Sequence, residues 1–317
     1  MWSAPTSSRF AGGLAAALAV LGATGTALAG EPVVVADAAG AGGAVTTYWT
    51  PARMRAAIQN SGEGPSEVFG WAARAGGAKP AAAQLPGMKA IGRVFATKPD
   101  GSSWSCTGTL IDSPTKSVVW TAAHCIHPGR GGAAYTNLAF APGYQPTSTG
   151  NPMPFGLWPA LQWAASGVWV RKGSSVDNNR RVWQNAPHDM AGLVLARDAS
   201  GRSAGQAVGG TQHIRFRVRG SRGVRMIGYP VAAPYLGERL MQCGPARSRT
   251  RRGAAGLVMI PCPLSYGMSG GPALTRVNSA GWGTVIGEMT ITDYRHMFYA
   301  FQGRESRRLY RHLTRIR

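Results

Sequence analysis

The segment Val118-Val119-Trp120-Thr121-Ala122-Ala123-His124-Cys125 places a histidine directly after a short apolar pattern that is typical of a buried strand. Another cysteine lies upstream in Cys106-Thr107-Gly108-Thr109-Leu110-Ile111, so a cysteine stands on either side of the predicted hairpin. A lone histidine is more often structural than catalytic. The position of His124 between a strand end and a cysteine makes it the first candidate for chemistry.

A candidate acid follows in His188-Asp189-Met190-Ala191-Gly192-Leu193-Val194-Leu195, where an aspartate immediately precedes an apolar strand. A buried carboxylate in such a place can accept the Nδ1–H of an imidazole, fix its tautomer and stabilise the imidazolium. Aspartates often begin strands in turns, so this motif is weak by itself. Asp177 and Asp198 are the alternatives, and neither is followed by small residues and a strand.

A candidate nucleophile lies in Tyr266-Gly267-Met268-Ser269-Gly270-Gly271-Pro272. Glycines allow a tight turn, in which the N–H groups of Gly267 and Ser269 can converge on one carbonyl oxygen. A glycine-rich surface turn without chemistry is the simpler interpretation, and the preceding histidine and aspartate motifs argue against it.

The three motifs, in the order His, Asp, Ser, resemble those of the trypsin/chymotrypsin superfamily of serine peptidases, from about Lys89 to the C-terminus. The resemblance implies a chymotrypsin-like double β-barrel and a serine endopeptidase without a cofactor. His124, Asp189 and Ser269 would form its catalytic triad, and the amides of Gly267 and Ser269 its oxyanion hole.

Within the superfamily the chain looks nearest to the bacterial glutamyl endopeptidases. This likeness rests on Ile227-Gly228-Tyr229-Pro230, Arg239-Leu240-Met241-Gln242-Cys243, the run from Cys262 to Ser269, and Val285-Ile286-Gly287.

Four cysteines in an exported chain predict two disulfides, with three possible pairings. The resemblance implies Cys106 with Cys125 and Cys243 with Cys262. A zinc site is the alternative, but the sequence has no Cys-x-x-Cys pair.

Many short strands separated by Gly and Pro, and one terminal helix, predict an all-β barrel or sandwich rather than a βαβ fold. The helix lies around Leu309-Tyr310-Leu313-Ile316. The predicted strands are Ala90–Phe95, Ser105–Ile111, Ser117–Thr121, Gly192–Leu195, Ile214–Val218, Arg225–Tyr229, Leu257–Ile260, Trp282–Glu288 and His296–Phe301. Four tryptophans between them are interpreted as packing residues, while a carbohydrate platform stays open: Trp158, Trp163, Trp169 and Trp183.

The N-terminal segment has the features of an export signal: Arg9, the apolar run Ala11 to Leu21, and Ala27-Leu28-Ala29 as a cleavage site. We expect residues 1–29 to be a signal peptide rather than an anchor, and the protein to be secreted. Residues 30–88 are rich in Ala, Gly and Pro and are expected to bury little, as a propeptide or, alternatively, a linker. The mature peptidase domain would be residues 89–317, beginning near Lys89 to Ile91.

The formal net charge of +21 raises the possibility of nucleic-acid binding, but the arginines are scattered and no nucleic-acid motif accompanies them. The expected partners are protein or peptide substrates, with electrostatic association to anionic cell-envelope polymers. Arginines of the C-terminal helix are interpreted as its solvated face.

Two departures from the family pattern matter. Trypsin-like zymogens have an aspartate before the nucleophile, where this chain has Met268, so an ion pair with a freed N-terminus is unavailable. Glutamate-selective relatives carry a histidine and a hydroxyl residue where this chain has Met289 and Leu264. A trypsin-like acid at the pocket base is replaced by Pro263, although Glu288 and Asp293 are near in sequence.

These substitutions predict a pocket for uncharged, mainly apolar P1 residues, because nothing in it would pair with a buried charge. The pocket would be lined in part by Pro263, Leu264 and Met289. Thr290-Ile291-Thr292 is the predicted strand that pairs with the substrate backbone.

Two other functions compete with this prediction. Gly267-Met268-Ser269-Gly270-Gly271 also satisfies the Gly-x-Ser-x-Gly pattern of α/β-hydrolases, but that fold requires an aspartate and then a histidine in separate loops after the serine. Here Asp293 and His296 are too close together, and the alternating β/α pattern is missing. The second alternative is a catalytically inactive cationic binding module or adhesin on the same fold.

Overall fold

Short apolar strands joined by turns form two antiparallel sheets in the computed structural model of the chain. The structure describes residues 33–38, 43–61, 78–145, 151–173, 184–218, 220–231, 235–250, 255–262, 266–293 and 295–316, so the predicted signal peptide lies outside it. The strands are β1 Val33–Asp37, β2 Ala78–Pro80, β3 Ile91–Thr97, β4 Ser103–Ile111, β5 Val118–Thr121, β6 Thr136–Pro142, β7 Trp158–Ser166, β8 Ala191–Leu195, β9 His213–Ile214, β10 Val224–Gly228, β11 Met241–Ala246, β12 Arg249–Thr250, β13 Leu257–Pro261, β14 Pro272–Thr275, β15 Thr284–Thr292 and β16 His296–Ala300.

The first sheet has the strand order β1-β7-β6-β3-β4-β5-β8, and β7 also pairs with β8. This additional pairing closes six strands into a barrel and leaves β1 on its outside, against β7. Every residue of β3, β5 and β8 is buried. One face of each strand points into the barrel, and the other face is covered by the rest of the chain.

The second sheet has the order β12-β13-β16-β15-β14-β10-β11-β2, and β9 pairs in parallel with β15. The two sheets confirm the predicted all-β, chymotrypsin-like double-barrel fold with a C-terminal helix. Nearly all predicted strands are present within a few residues, whereas β6 and β7 fell in a stretch for which the sequence predicted no strand.

Five α-helices have described bounds: α1 Gly43–Tyr48, α2 Pro51–Asn60, α3 Gly167–Lys172, α4 Ala204–Val208 and α5 Arg304–Leu313. The C-terminal helix α5 buries Leu309 and Leu313 completely and packs against β7 and β8. The sequence predicted an amphipathic helix here, with its arginines on the solvated face, but not the strands on which it packs. In the described part of the chain, no helix has the length and apolar character needed to cross a membrane.

Three of the tryptophans between the His and Asp motifs are buried packing residues. Trp158 and Trp163 lie on β7, and Trp169 lies on α3 with its indole N–H donating to the carbonyl of His127 at 2.9 Å. The packing interpretation is confirmed for these three, and Trp183 lies outside the described residues.

Residues 43–61 differ from the sequence-based expectation that the segment before Lys89 buries little. Thr50 caps α2 by accepting a hydrogen bond from the Arg53 N–H at 3.3 Å, and Pro51 opens the helix. The helix packs against β4, and the apolar residues of the segment enter the core: Val45, Trp49, Met54, Ala57 and Ile58. A short helix around Pro51 to Ala57 is a possibility from the sequence, but the Ala-rich composition gives little sign that the segment is buried. Removal of the segment as a propeptide stays a prediction.

Replacing Met54 with alanine tests whether α2 belongs to the folded core. Met54 is fully buried, so Met54→Ala should lower the free energy of unfolding of the uncleaved chain by about 2–4 kcal/mol in urea denaturation. Arg55→Ala, on the exposed face of the same helix, should change it by less than about 0.5 kcal/mol. Equal stability of the two variants would contradict the packing.

Candidate active site

The position of His124 is fixed by a strand end, a short turn and a disulfide. Strand β5 is buried along its length and ends at Thr121, and a 3₁₀ turn over Ala123–Cys125 follows. Cys125 is bonded to Cys106 of β4, with 5.9 Å between their Cα atoms. The disulfide ties the histidine turn to the neighbouring strand, and the imidazole keeps 13% of its surface exposed.

The carboxylate of Asp189 lies directly before β8 and is 1% exposed. Its Oδ1 accepts a hydrogen bond from the backbone N–H of His124 at 2.8 Å. Its Oδ2 accepts from His124 Nδ1 at 2.6 Å and from the hydroxyl of Thr290 at 2.5 Å. A buried charge is costly unless hydrogen bonds replace its water, and three donors do so here.

This arrangement selects one tautomer of His124. An ionised carboxylate only accepts hydrogen bonds, so the short contact to Asp189 requires that Nδ1 carries the proton. In the neutral ring the lone pair is then on Nε2. The pair is therefore arranged as an oriented imidazole base with a buried carboxylate behind it.

The serine loop is attached to β4 through Thr107. The backbone N–H of Thr107 donates to the carbonyl of Ser269 at 2.8 Å, and its hydroxyl donates to the carbonyl of Gly267 at 2.8 Å. The same hydroxyl accepts from the N–H of Tyr229 at 3.2 Å. One buried threonine thus holds both ends of the turn that presents the partly exposed Ser269.

Gly270 brings the serine loop against the histidine segment. Its φ of +76° is in the left-handed region that favours glycine. A Cβ at this position would lie 2.1 Å from Thr121 Oγ1 and 2.9 Å from the backbone N of Ala122. The residue after Ser269 is therefore packed on the residues that lead into His124, which brings the predicted nucleophile and base segments together.

The amides of Gly267 and Ser269 are the predicted oxyanion donors. Neither N–H donates a hydrogen bond to another residue of the described chain. The carbonyl of Tyr266 accepts from the N–H of Val231 at 2.9 Å. Because C=O and N–H point in opposite directions in a trans peptide, the N–H of Gly267 faces away from Val231. Within the described chain, both amides are therefore available to bind an anion.

Two threonines of the site were not predicted in these roles. The sequence predicts only a strand at Thr107, and the pairing of the Thr290 backbone with substrate stays a prediction. Thr290 is 8% exposed, and its hydroxyl is bonded to Asp189. Their partners lie 160 and 101 residues away in sequence, so no local pattern could have revealed either contact.

Of the residues predicted to line the substrate pocket, the structure describes Met289 and residues 290–292, which lie on β15. Pro263 and Leu264 lie outside the described residues. Met289 is 2% exposed and packs in an apolar cluster of the second barrel. Residues 290–292 pair with β16 on one edge, and no described strand pairs with their other edge. This open edge is available for an extended peptide.

The two acids that are near the predicted pocket in sequence, Glu288 and Asp293, both form hydrogen bonds within the described chain. Glu288 is completely buried, with Oε2 accepting from Trp120 Nε1 at 2.7 Å and Gln302 Nε2 at 3.3 Å. Burial raises the pKa of Glu288 well above its ordinary value, and the nearby charge of Asp189 adds to this. Asp293 is exposed and accepts from the backbone N–H of His296 at 2.7 Å, which holds a turn.

Glu288→Gln should make the protein less sensitive to alkaline pH. Between the ordinary pKa of 4.5 and the raised folded value, the folded state holds a proton that the unfolded state releases, so stability falls as pH rises through this window. Glutamine cannot ionise, so the stability of the variant relative to wild type should increase from pH 5 to pH 8 in urea denaturation.

The control for this comparison is Glu238→Gln, at an exposed position. Its stability difference from wild type should stay nearly constant over the same pH range. A pH-independent difference for Glu288→Gln as well would mean that Glu288 is ionised in the folded protein.

The disulfides predicted from the resemblance are both present, Cys106–Cys125 and Cys243–Cys262.

The Cys106–Cys125 disulfide also decides whether the cysteines beside His124 can bind a metal ion. One group of three metal-ligand side chains converges in the described chain, formed by Cys106, Cys125 and His124 within 4.8 Å. Its sulfurs are joined to each other and supply no thiolate, and His124 Nδ1 is bonded to Asp189, so this donor set does not suit zinc.

Comparison with known proteins gives matches among solved structures. No protein-family profile and no curated protein sequence matches the chain. A thermostable serine protease from an extremophilic microorganism has 28% identity and a TM-score of 0.61, over 73% of this chain and 99% of that one. The protease Anisep from Arthrobacter nicotinovorans has 26% identity and a TM-score of 0.62, over 75% and 99%.

A Glu endopeptidase also matches, with 16% identity and a TM-score of 0.54 over 75% of this chain and 97% of that one. At this identity the match concerns the fold alone, so the likeness to the glutamyl branch is distant. Together, the motifs, the two barrels and these matches show that the chain resembles the chymotrypsin-like serine proteases and shares their fold.

Proposed function

We propose that the chain is a secreted serine endopeptidase that hydrolyses peptide bonds through an acyl-enzyme on Ser269. The observation that carries the proposal is the buried Asp189 carboxylate, bonded at 2.6 Å to Nδ1 of His124. A histidine that serves only the core has no need of a buried, fully hydrogen-bonded carboxylate and a partly exposed ring. The serine-protease matches support the same reaction class.

The mechanism follows from the roles of the three side chains. Nε2 of His124 takes the proton from Ser269 Oγ as the oxygen attacks the peptide carbonyl carbon. The amides of Gly267 and Ser269 bind the resulting oxyanion. His124 then gives its proton to the leaving amine, and a water molecule activated in the same way releases the acid and restores Ser269. Asp189 stabilises the imidazolium in both steps.

Export of this enzyme is supported by the signal-like N-terminus and by two disulfides, which persist in oxidising compartments. Cleavage near Lys89 to Ile91 stays a prediction from sequence. N-terminal sequencing of active material tests it, since a mature chain that begins before Val33 would retain helix α2.

Removing any triad side chain should abolish most peptidase activity without unfolding the protein. Ser269→Ala and His124→Ala should each lower kcat by orders of magnitude, because the triad acts as one unit. Asp189→Asn should lower it by roughly 10⁴-fold, since the amide favours the wrong imidazole tautomer. Peptide hydrolysis and circular dichroism of the purified variants measure both effects.

A fluorophosphonate label separates this enzyme from an inactive binding module on the same fold. Wild type and the control Ser102→Ala, at a partly exposed position before β4, should be labelled, and Ser269→Ala should not. A folded wild-type protein that neither labels nor cleaves would contradict the proposal and favour the module.

For the substrate, we propose uncharged and mainly apolar P1 residues. The sequence offers Pro263, Leu264 and Met289 for the pocket, and the nearby acid Glu288 is buried and bonded to Trp120 rather than exposed. The open edge at 290–292 would pair with the substrate backbone. A charged P1 side chain would find no counter-charge among these residues.

Kinetic profiling with peptides that differ only at P1 tests this specificity. We expect kcat/KM for Leu or Phe to exceed that for Glu and for Arg by at least about tenfold, because an unpaired buried charge costs more than 1.4 kcal/mol. A higher kcat/KM for Glu than for Leu would overturn the pocket assignment and require a basic partner for the substrate carboxylate.

A further inference from the structure

The C-terminal helix α5 carries a row of arginines on its outer side. Exposed arginines occur at positions 304, 307, 308 and 311, and Arg315 follows in the next turn. At 100° per residue, the first four fall within an arc of about 100° and extend along about 10 Å of the helix axis. We call these five residues the arginine face.

The arginine face is not neutralised by the protein. None of its five residues forms an ion pair with another residue of the described chain. The one acidic residue of the helix, Glu305, points to the barrel, where it accepts from His188 Nδ1 at 2.6 Å and from the hydroxyl of Ser166. Like charges three and four residues apart destabilise a helix, so folding alone does not favour this arrangement.

The attachment of α5 to the barrel does not involve these arginines. Leu309 and Leu313 are completely buried, and the hydroxyl of Tyr310 donates to the carbonyl of Asp112 at 2.9 Å. The arginine side chains can therefore be replaced without disturbing the packed side of the helix.

The chemistry of the arginine face indicates its ligand. Guanidinium groups are weakly hydrated and bind phosphate oxygens in pairs. The charges are spread along a convex helix rather than gathered in a cavity, which suits an extended polymer better than a small anion. The two leucines of α5 are buried, so the helix presents no aliphatic side chain for insertion into a lipid surface.

We propose that the arginine face binds a linear polyol phosphodiester polymer of the cell envelope and retains the protein there. Such a chain repeats one negative charge per unit and can lie along the helix. The export signal and the disulfides favour an envelope polymer over an intracellular nucleic acid. This binding does not depend on the proposed peptidase activity.

Fluorescence anisotropy with a labelled poly(glycerol phosphate) chain of about twelve units tests the proposal. The Arg307→Gln/Arg308→Gln/Arg311→Gln variant should bind at least about tenfold more weakly at low salt. Its plot of log affinity against log salt should also be less steep, with a negative slope smaller in magnitude by about two. The control Arg197→Gln/Arg222→Gln/Arg239→Gln has the same change in net charge on other exposed positions and should bind within about threefold of wild type.

The outcomes distinguish the arginine face from general attraction to a cationic protein. Equal loss in both triple variants, or loss in neither, overturns the proposal. Equally tight, arginine-dependent binding of a single-stranded DNA with the same number of phosphates would overturn the choice of polymer. Binding only to vesicles with anionic lipid would assign the face to a membrane instead. Unchanged circular dichroism verifies that the variants fold.

Discussion

The buried carboxylate of Asp189 is the constraint on which the rest of the structure depends. Its hydrogen-bond donors come from both barrels: His124 follows β5 of the first, and Thr290 lies on β15 of the second. Leaving a buried charge without one of its partners costs several kcal/mol, so the bond from Thr290 favours the arrangement of the two barrels seen here. The carboxylate that accepts the bond from the second barrel is therefore also the one that orients the imidazole.

Other hydrogen bonds also join the two barrels. Trp120 of β5 donates to Glu288 of β15, and Thr107 of β4 holds the carbonyls of Gly267 and Ser269. Each joins a residue of the first barrel to the segment around the serine or to the strand beside it. The position of Ser269 relative to His124 is therefore set by strand β4 and β5 contacts rather than by the serine loop itself.

These interactions explain what the sequence could and could not predict. The His, Asp and Ser segments were recognisable because each carries its own local signals, a strand end or a glycine turn, and both disulfide pairs followed from the resemblance. The bond from the Thr290 hydroxyl to Asp189 was not predicted because its partner is 101 residues away. Burial of the segment 43–61 was missed because four large side chains among many alanines and glycines give little periodic signal.

Met268 stands where trypsin-like zymogens have an acid, and the serine loop is held in another way. Met268 is fully buried among apolar residues. Arg93, also fully buried and without an acidic partner in the described chain, donates to the carbonyl of Gly237 through Nη2 at 2.5 Å. Gly237 in turn lies against Val231, whose N–H holds the carbonyl of Tyr266 beside the candidate oxyanion amides. These contacts hold the serine loop in this structure without an ion pair among the described residues.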